Sequence, residues 1–140
     1  MIVLEKLPAA VKEFFISKGI QPDEAVLTMK TDLGIDSVLK DVYIVIDKEK
    51  AAVAEGTVLF ERRGFNQNGN PVRGEEFEAA RFEQFNLAEL EDVKVEQLIS
   101  TGRVTATSGK EPVLLFYFSS TYKHDAGIFC QVANELKKDG

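Results

Sequence analysis

LISTGRVTATSGKEPVLLFYFSSTYKHDAGIFCQVANELK, residues 98–137, is the stretch that decides the fold. Its first half reads as two strands, at 103–107 and 113–118, with a further strand at 93–99 running into it. Ser100-Thr101-Gly102 and Ser108-Gly109-Lys110-Glu111 are the hairpin turns between them. The second half changes period. Tyr122, Ala126, Phe129, Ala133 and Leu136 recur at helical spacing, and Ile128, Cys130 and Val132 widen that stripe. Ser119, Ser120 and Thr121 offer N-cap oxygens, and Lys137 and Lys138 suit the negative end of the helix dipole. The chain therefore closes with an amphipathic helix whose apolar face must lie on a sheet.

Working back from there, alternation at period two recurs. Leu27 and Met29 oppose Thr28 and Lys30, and Val42, Ile44 and Ile46 oppose Tyr43 and Val45. A tight turn at Asp47-Lys48-Glu49-Lys50 joins that strand to another at 51–60, in which Gly56 reads as a bulge or bend. Residues 62–74, RRGFNQNGNPVRG, read as a long loop, and strand character resumes at 77–85. At the start of the chain, Leu7, Val11, Phe14 and Phe15 form one apolar helical stripe. Pro8 fits the first turn, and Gly19 stops the helix so that Ile20 folds back on Phe15. The order is helix, seven strands, helix. The expected fold is α+β, one long bent antiparallel sheet between an N-terminal and a C-terminal helix, with residues 1–140 forming one domain.

Composition bounds the function. The chain has 140 residues, 44% of them hydrophobic and ten of them Phe, which is enough for a core without disulfides or metal. Its longest apolar runs fall far short of the roughly 20 residues of a membrane span. Glu5 and Lys6 follow Met1-Ile2-Val3-Leu4, so no signal-peptide pattern is read there. The single cysteine, Cys130, points to a reducing compartment. Net charge is −6, and residues 75–96 carry eight acids against Arg81 and Lys94. Nucleic acid and anionic bilayers select basic surfaces, so neither is expected as a partner. The acidic stretch reads as a solvated face or as a docking surface for a basic partner.

Seven short antiparallel strands closed by one helix is the order of a pleckstrin-homology (PH)-type half-open barrel, its open corner plugged by Phe129 and its neighbours. The stretches LPAAVKEFFISKGI (7–20), AVLTMKTDL (25–33) and residues 98–137 resemble a PH-like domain at the N-terminus of certain bacterial ABC transporter ATP-binding proteins. Where that family has a Trp-containing strand, this chain has Val42-Tyr43-Ile44-Val45-Ile46 and no Trp. The resemblance implies a non-catalytic cytoplasmic regulatory or docking domain, with the transmembrane and nucleotide-binding parts beyond Gly140. The alternative from a different class is a free-standing protein holding a small apolar ligand in the barrel mouth.

No residue pattern here calls for a cofactor. The G-x-x-x-x-G-K-[ST] phosphate cradle is missing, since the glycine-rich 64–74 stretch lacks the Lys-Ser/Thr step. His124 and Asp125 are adjacent on a helix and point about 100° apart, which prevents an oriented acid–base pair. Cys130 reads as a buried small hydrophobe. Asp32, Asp36 and Asp41 are spaced carboxylates without the acid density of a calcium loop, so no metal is expected. Against those three acids the first hairpin offers only Lys30 and Lys40, the wrong balance for an inositol phosphate. What remains is a partner contact. Arg62, Arg63, Phe65, Val72 and Arg73 mix basic and apolar groups on the 62–74 stretch, a composition common at protein interfaces. It is equally the composition of a loop that binds nothing.

Overall fold

A computed structural model describes the chain apart from residues 66, 70 and 140, and apart from the side chains of residues 61–65, 71–73, 138 and 139. Eight strands and two helices follow in the order β1 (Ile2–Val3), α1 (Ala9–Ser17), β2 (Leu27–Leu33), β3 (Leu39–Ile46), β4 (Lys50–Phe65), β5 (Pro71–Asn86), β6 (Leu90–Gln97), β7 (Thr101–Ser108), β8 (Glu111–Ser119) and α2 (Lys123–Asp139). The sheet order is β5-β4-β3-β2-β8-β7-β6, antiparallel at each of those pairings, with β1 added parallel to β2. The expected α+β class and helix–sheet–helix order hold. The sheet does not close into a barrel: among the described residues β5 pairs only with β4, and β6 only with β7.

Each face of the sheet takes one helix. Leu27, Met29, Val42, Ile44, Ile46, Ala51 and Val53 share a core with Ala126, Phe129 and Ala133 of α2. The residues between them, Tyr43, Val45, Ala52 and Ala54, share a second core with Val11 and Phe15 of α1 and with Leu7 just before it. Because both faces are covered along the second part of β3, Val42 through Ile46 are all buried, which is why those five positions are all apolar.

The end of α1 follows its sequence closely. Gly19 takes φ +85, Ile20 N–H donates to the Phe15 carbonyl at 3.0 Å, and Gly19 N–H donates to the Ile16 carbonyl at 3.0 Å. That is the expected Schellman stop. Its start differs by one position, since Pro8 stands as the N-cap, just outside the helix, with extended backbone. An N-cap proline has no hydroxyl or carboxylate to offer the first turn, and the Glu75 carboxylate on β5 supplies one instead, accepting from Ala10 N–H at 2.9 Å.

Three further features depart from the reading of the sequence. The 62–74 stretch is not a loop along its length. β4 continues to Phe65 and β5 begins at Pro71, with Arg62 opposite Arg73. Backbone pairing in such a ribbon needs no alternation of apolar residues, so no period announces it. Ser119 does not cap α2: a 3₁₀ turn, Ser120–Tyr122, comes between, and the Ser119 hydroxyl donates to Asp32 Oδ2 at 2.6 Å. Finally, β1 is an unexpected strand. β8 meets β2 only at Leu33↔Tyr117, and β1 covers the other end of the same edge at Leu27 and Thr28.

Gly56 is at a bulge, as expected. The β4–β5 register shifts there, from Glu55↔Arg81 to Gly56↔Ala79, and a Cβ on Gly56 would sit 2.2 Å from the Glu78 carbonyl oxygen. The extra residue flips the alternation of β5, so that Phe77 and Phe82, five positions apart, both face α1.

Candidate functional site

Arg62, Arg63 and Phe65 fall on the outer part of β4, and Val72 and Arg73 on the start of β5. The backbone brings them together on one ribbon; their side chains lie outside the described residues. The described surface beside that ribbon is built as follows.

Asp41 pairs with Gly56, and β4 runs on past that point, so the β2–β3 turn and the β4–β5 ribbon project from the same end of the sheet. The turn is tightly held. Ser37 N–H donates to the Gly34 carbonyl and Gly34 N–H to the Val38 carbonyl, both at 2.9 Å, and Ser37 takes φ 65. Asp36 accepts from Val38 N–H at 3.1 Å and from the Lys40 ammonium at 2.9 Å. The Lys40 hydrogen bond, then the Val38 amide, holds the Asp36 carboxyl below its usual range.

A buried charge pins this turn to the sheet. Glu55 on β4 is only 2% exposed, and its Oε2 accepts from Ile35 N–H and from Arg81 Nη1, each at 3.0 Å. Arg81 also bonds Glu83. A buried carboxylate is tolerated only when paired and hydrogen-bonded in this way. Gly34 admits the arrangement, because a Cβ there would come within 2.9 Å of Glu55 Oε1. The reading of the sequence missed Glu55. Its one signal was an acid directly after the apolar run Ala51-Ala52-Val53-Ala54.

The pinned turn presents apolar side chains outward. Val38 is 54% and Leu39 75% exposed, Ile35 stands with them, and on β4 Leu59 and Phe60 are exposed in turn, Phe60 at 68%. Leu59 also lines a cleft of about 330 Å³, with Ala79 and Ala80 as its other apolar lining and Lys40, Thr57 and Glu78 at its polar parts. Solvated apolar groups on a rigid platform are what a contact surface presents.

The remaining residues singled out above do not converge. Asp32 accepts from Ser119, Asp36 from Lys40, and Asp41 sits 3.1 Å from the Lys30 ammonium, so the three acids serve three separate partners. Burial works to lower the Lys30 pKa, but the hydrogen bond and charge of Asp41 outweigh it and leave it raised. Among the described residues no group of His, Cys, Asp and Glu is placed to hold a metal ion. His124 is exposed at the start of α2. Cys130 is buried, and burial pushes its thiol up to about 12. Where a barrel mouth would hold a ligand, Phe129 is fully buried and meets the Phe116 ring edge-on at 5.0 Å. No helix among the described residues is long and apolar enough to cross a membrane.

Comparison of the chain with family models, with curated proteins and with solved structures found no match.

Proposed function

We propose that this chain is a non-catalytic docking or regulatory domain of PH-like architecture, acting as a cytoplasmic part of a bacterial ABC transporter. The PH-like reading is supported by connectivity. Four antiparallel strands, β2 to β5, are joined to three more, β6 to β8, through one corner at Leu33 and Tyr117, and α2 packs over the interior. The docking role rests on one observation, the exposed apolar side chains Ile35, Val38 and Leu39 at the β2–β3 turn, with Leu59 and Phe60 exposed on the two faces of β4, at the end of the sheet where the β4–β5 ribbon projects. Side chains of this kind gain by being covered, at about 25 cal/mol per Å² of apolar surface removed from water. The 62–74 ribbon, with Arg62, Arg63, Phe65, Val72 and Arg73, extends the same end.

Photo-crosslinking from positions 39 and 60, one at a time, in the cells that make the protein tests this. Cross-links to a transporter's ATP-binding or membrane-spanning part, on another chain or on the same polypeptide, are the expected result. Cross-links only to unrelated proteins, or none, would overturn the transporter assignment. A co-purifying apolar molecule in native mass spectrometry would favour the alternative, a free-standing ligand-binding protein.

A further inference from the structure

The register of the β4–β5 ribbon sorts its residues onto two unlike faces. Directly opposite residues of an antiparallel pair share a face, and alternate residues along each strand return to it. Val58 with Phe77, Phe60 with Glu75 and Arg62 with Arg73 therefore fall on one face. That is the α1 face, because Val58 and Phe77 pack on the core that α1 covers and the Glu75 carboxylate accepts from Ala10 N–H. The next pair, Phe65 with Pro71, is reached from 62 to 65 on β4 but only from 73 to 71 on β5. The extra residue therefore lies on β4, and Phe65 returns to the α1 face. Thr57 with Glu78, Leu59 with Glu76 and Glu61 with Gly74 occupy the other face.

The two faces carry opposite charge. The α1 face sets Arg62 directly opposite Arg73, between Phe60 and Phe65, and its one acid among these residues, Glu75, is already engaged at the start of α1. Glu61, Glu76 and Glu78 fall on the other face. Like charges directly opposite each other cost stability across a pair of strands, and a carboxylate set between two guanidinium groups offsets that cost. Beside them Phe60 is 68% exposed and gains by being covered. These features select a short acidic and apolar occupant. A bilayer or a nucleic acid extends past the ribbon, and a Debye length of about 8 Å leaves it within reach of a body whose net charge is −6. A second copy could offer its acidic face, but that contact is head-to-tail, building a ring or a filament, and it brings two bodies of charge −6 together.

We propose that the α1 face of the ribbon, from Phe60 to Phe65, binds a short extended segment of a partner protein that carries a carboxylate between two apolar side chains. Arg62 and Arg73 take the carboxylate. Phe60 and Phe65 take the flanking apolar groups, which an extended chain places two residues, about 7 Å, to either side. The proposal rests on the docking reading above and names the chemistry of the partner.

The test uses an end-blocked heptapeptide, Gly-Leu-Ser-Glu-Ser-Leu-Gly, and its counterpart with Lys at the centre, each titrated to millimolar concentration into the isotopically labelled protein. The Glu peptide should shift amide resonances of the ribbon around Arg62 and Arg73, with an affinity that falls as salt rises. Arg62→Gln and Arg73→Gln should each weaken it by about tenfold. Phe60→Ser should weaken it by about fivefold, whereas Leu59→Ser, next along the chain but on the other face, should leave it unchanged. Both apolar residues are exposed, so the fold survives either change. The Lys peptide should not bind. No binding of the Glu peptide, equal binding of the two peptides, or equal effects of Leu59→Ser and Phe60→Ser would overturn the site. Pelleting with vesicles of phosphatidylcholine and phosphatidylserine that Arg62→Gln abolishes would give this face to lipid instead. Self-association that the same change abolishes would give it to a second copy. Transporter cross-links from positions 39 and 60 without peptide binding would sink the acidic segment alone. Peptide binding without those cross-links would sink the transporter alone.

Discussion

Asn134 on α2 takes hold of Val93 on β6 by both of its backbone groups: Asn134 Nδ2 donates to the Val93 carbonyl at 2.9 Å, and Asn134 Oδ1 accepts from Val93 N–H at 3.3 Å. The bulge between Glu91 and Lys94 removes Val93 from the ladder with β7, so a side-chain amide stands in for the missing strand. Asn134→Ala would leave two polar groups of a buried residue unpaired. A loss of about 1–3 kcal/mol is expected in urea melts. An unchanged midpoint would mean that water replaces the amide at no cost.

Phe129 is the largest side chain that α2 places in the core, fully buried against Phe116. Phe129→Ala should cost about 3–5 kcal/mol, the range for truncating a buried Phe, which would bring a domain of ordinary stability close to unfolding. A loss below about 1 kcal/mol by the same melts would show that the helix packs by another face.

Cys130 should be unreactive while the protein is folded. Its thiolate is disfavoured by burial, which pushes the thiol up to about 12 from an ordinary 9.0. Stability linked to this group is complete below its unfolded value and declines as pH rises towards its folded one. An aromatic disulfide reagent at pH 8 should therefore label Cys130 only at the rate of opening, and urea should accelerate labelling together with the loss of structure. Fast labelling without denaturant would contradict the burial.

Two carboxylates, exposed Asp36 and half-buried Glu96, link the fold to acid. The Lys40 hydrogen bond lowers Asp36 from an ordinary 3.8, and the Arg103 hydrogen bond, 2.7 Å long, lowers Glu96 from an ordinary 4.5. Each folded value lies below the unfolded one, so the stabilisation is present above the unfolded value and lost as pH falls through the folded one. Melting temperature should drop as pH is taken below about 4.5, and Glu96→Gln should flatten part of that drop. Identical profiles for the two proteins would remove Glu96 from the linkage.

Anionic liposomes should not pellet the protein at physiological salt. Each Lys near an anionic surface contributes about 1 kcal/mol of attraction. At the β2–β3 hairpin, however, Lys30 is paired with Asp41 and Lys40 with Asp36, and Asp32 adds a third acid. Salt-sensitive pelleting that disappears when Arg62, Arg63 and Arg73 are replaced would instead assign lipid binding to the β4–β5 ribbon.

Signals confined to a few neighbouring residues could be read directly from the chain. The apolar stripe of α1, its Gly19 stop, the alternation along β2 and β3, the bulge at Gly56 and the apolar face of α2 all follow from short-range sterics and period. Gly102 marks where such reading fails. It read as a turn residue, yet it lies within β7, where a Cβ would sit 2.4 Å from the Phe118 ring. Its small size is needed by a side chain 16 positions away. The candidate surface was legible only in part, because exposure is settled by which elements happen not to be covered. Nothing in Val38-Leu39 or Leu59-Phe60 distinguishes them from core residues.

By itself, then, the sequence determined the two helices, the seven main strands and the faces that had to be buried, since propensity and period are local properties of the chain. Only the tertiary structure decided which helix covers which face and where the sheet remains open. It also set the long-range polar pairs, Glu75 with Ala10, Glu55 with Ile35 and Arg81, and Asn134 with Val93, which join residues 20 to 65 positions apart. A buried donor or acceptor must find a partner somewhere, but any of many polar side chains could supply it. The choice among them is made by the packing of the elements, which no local pattern records.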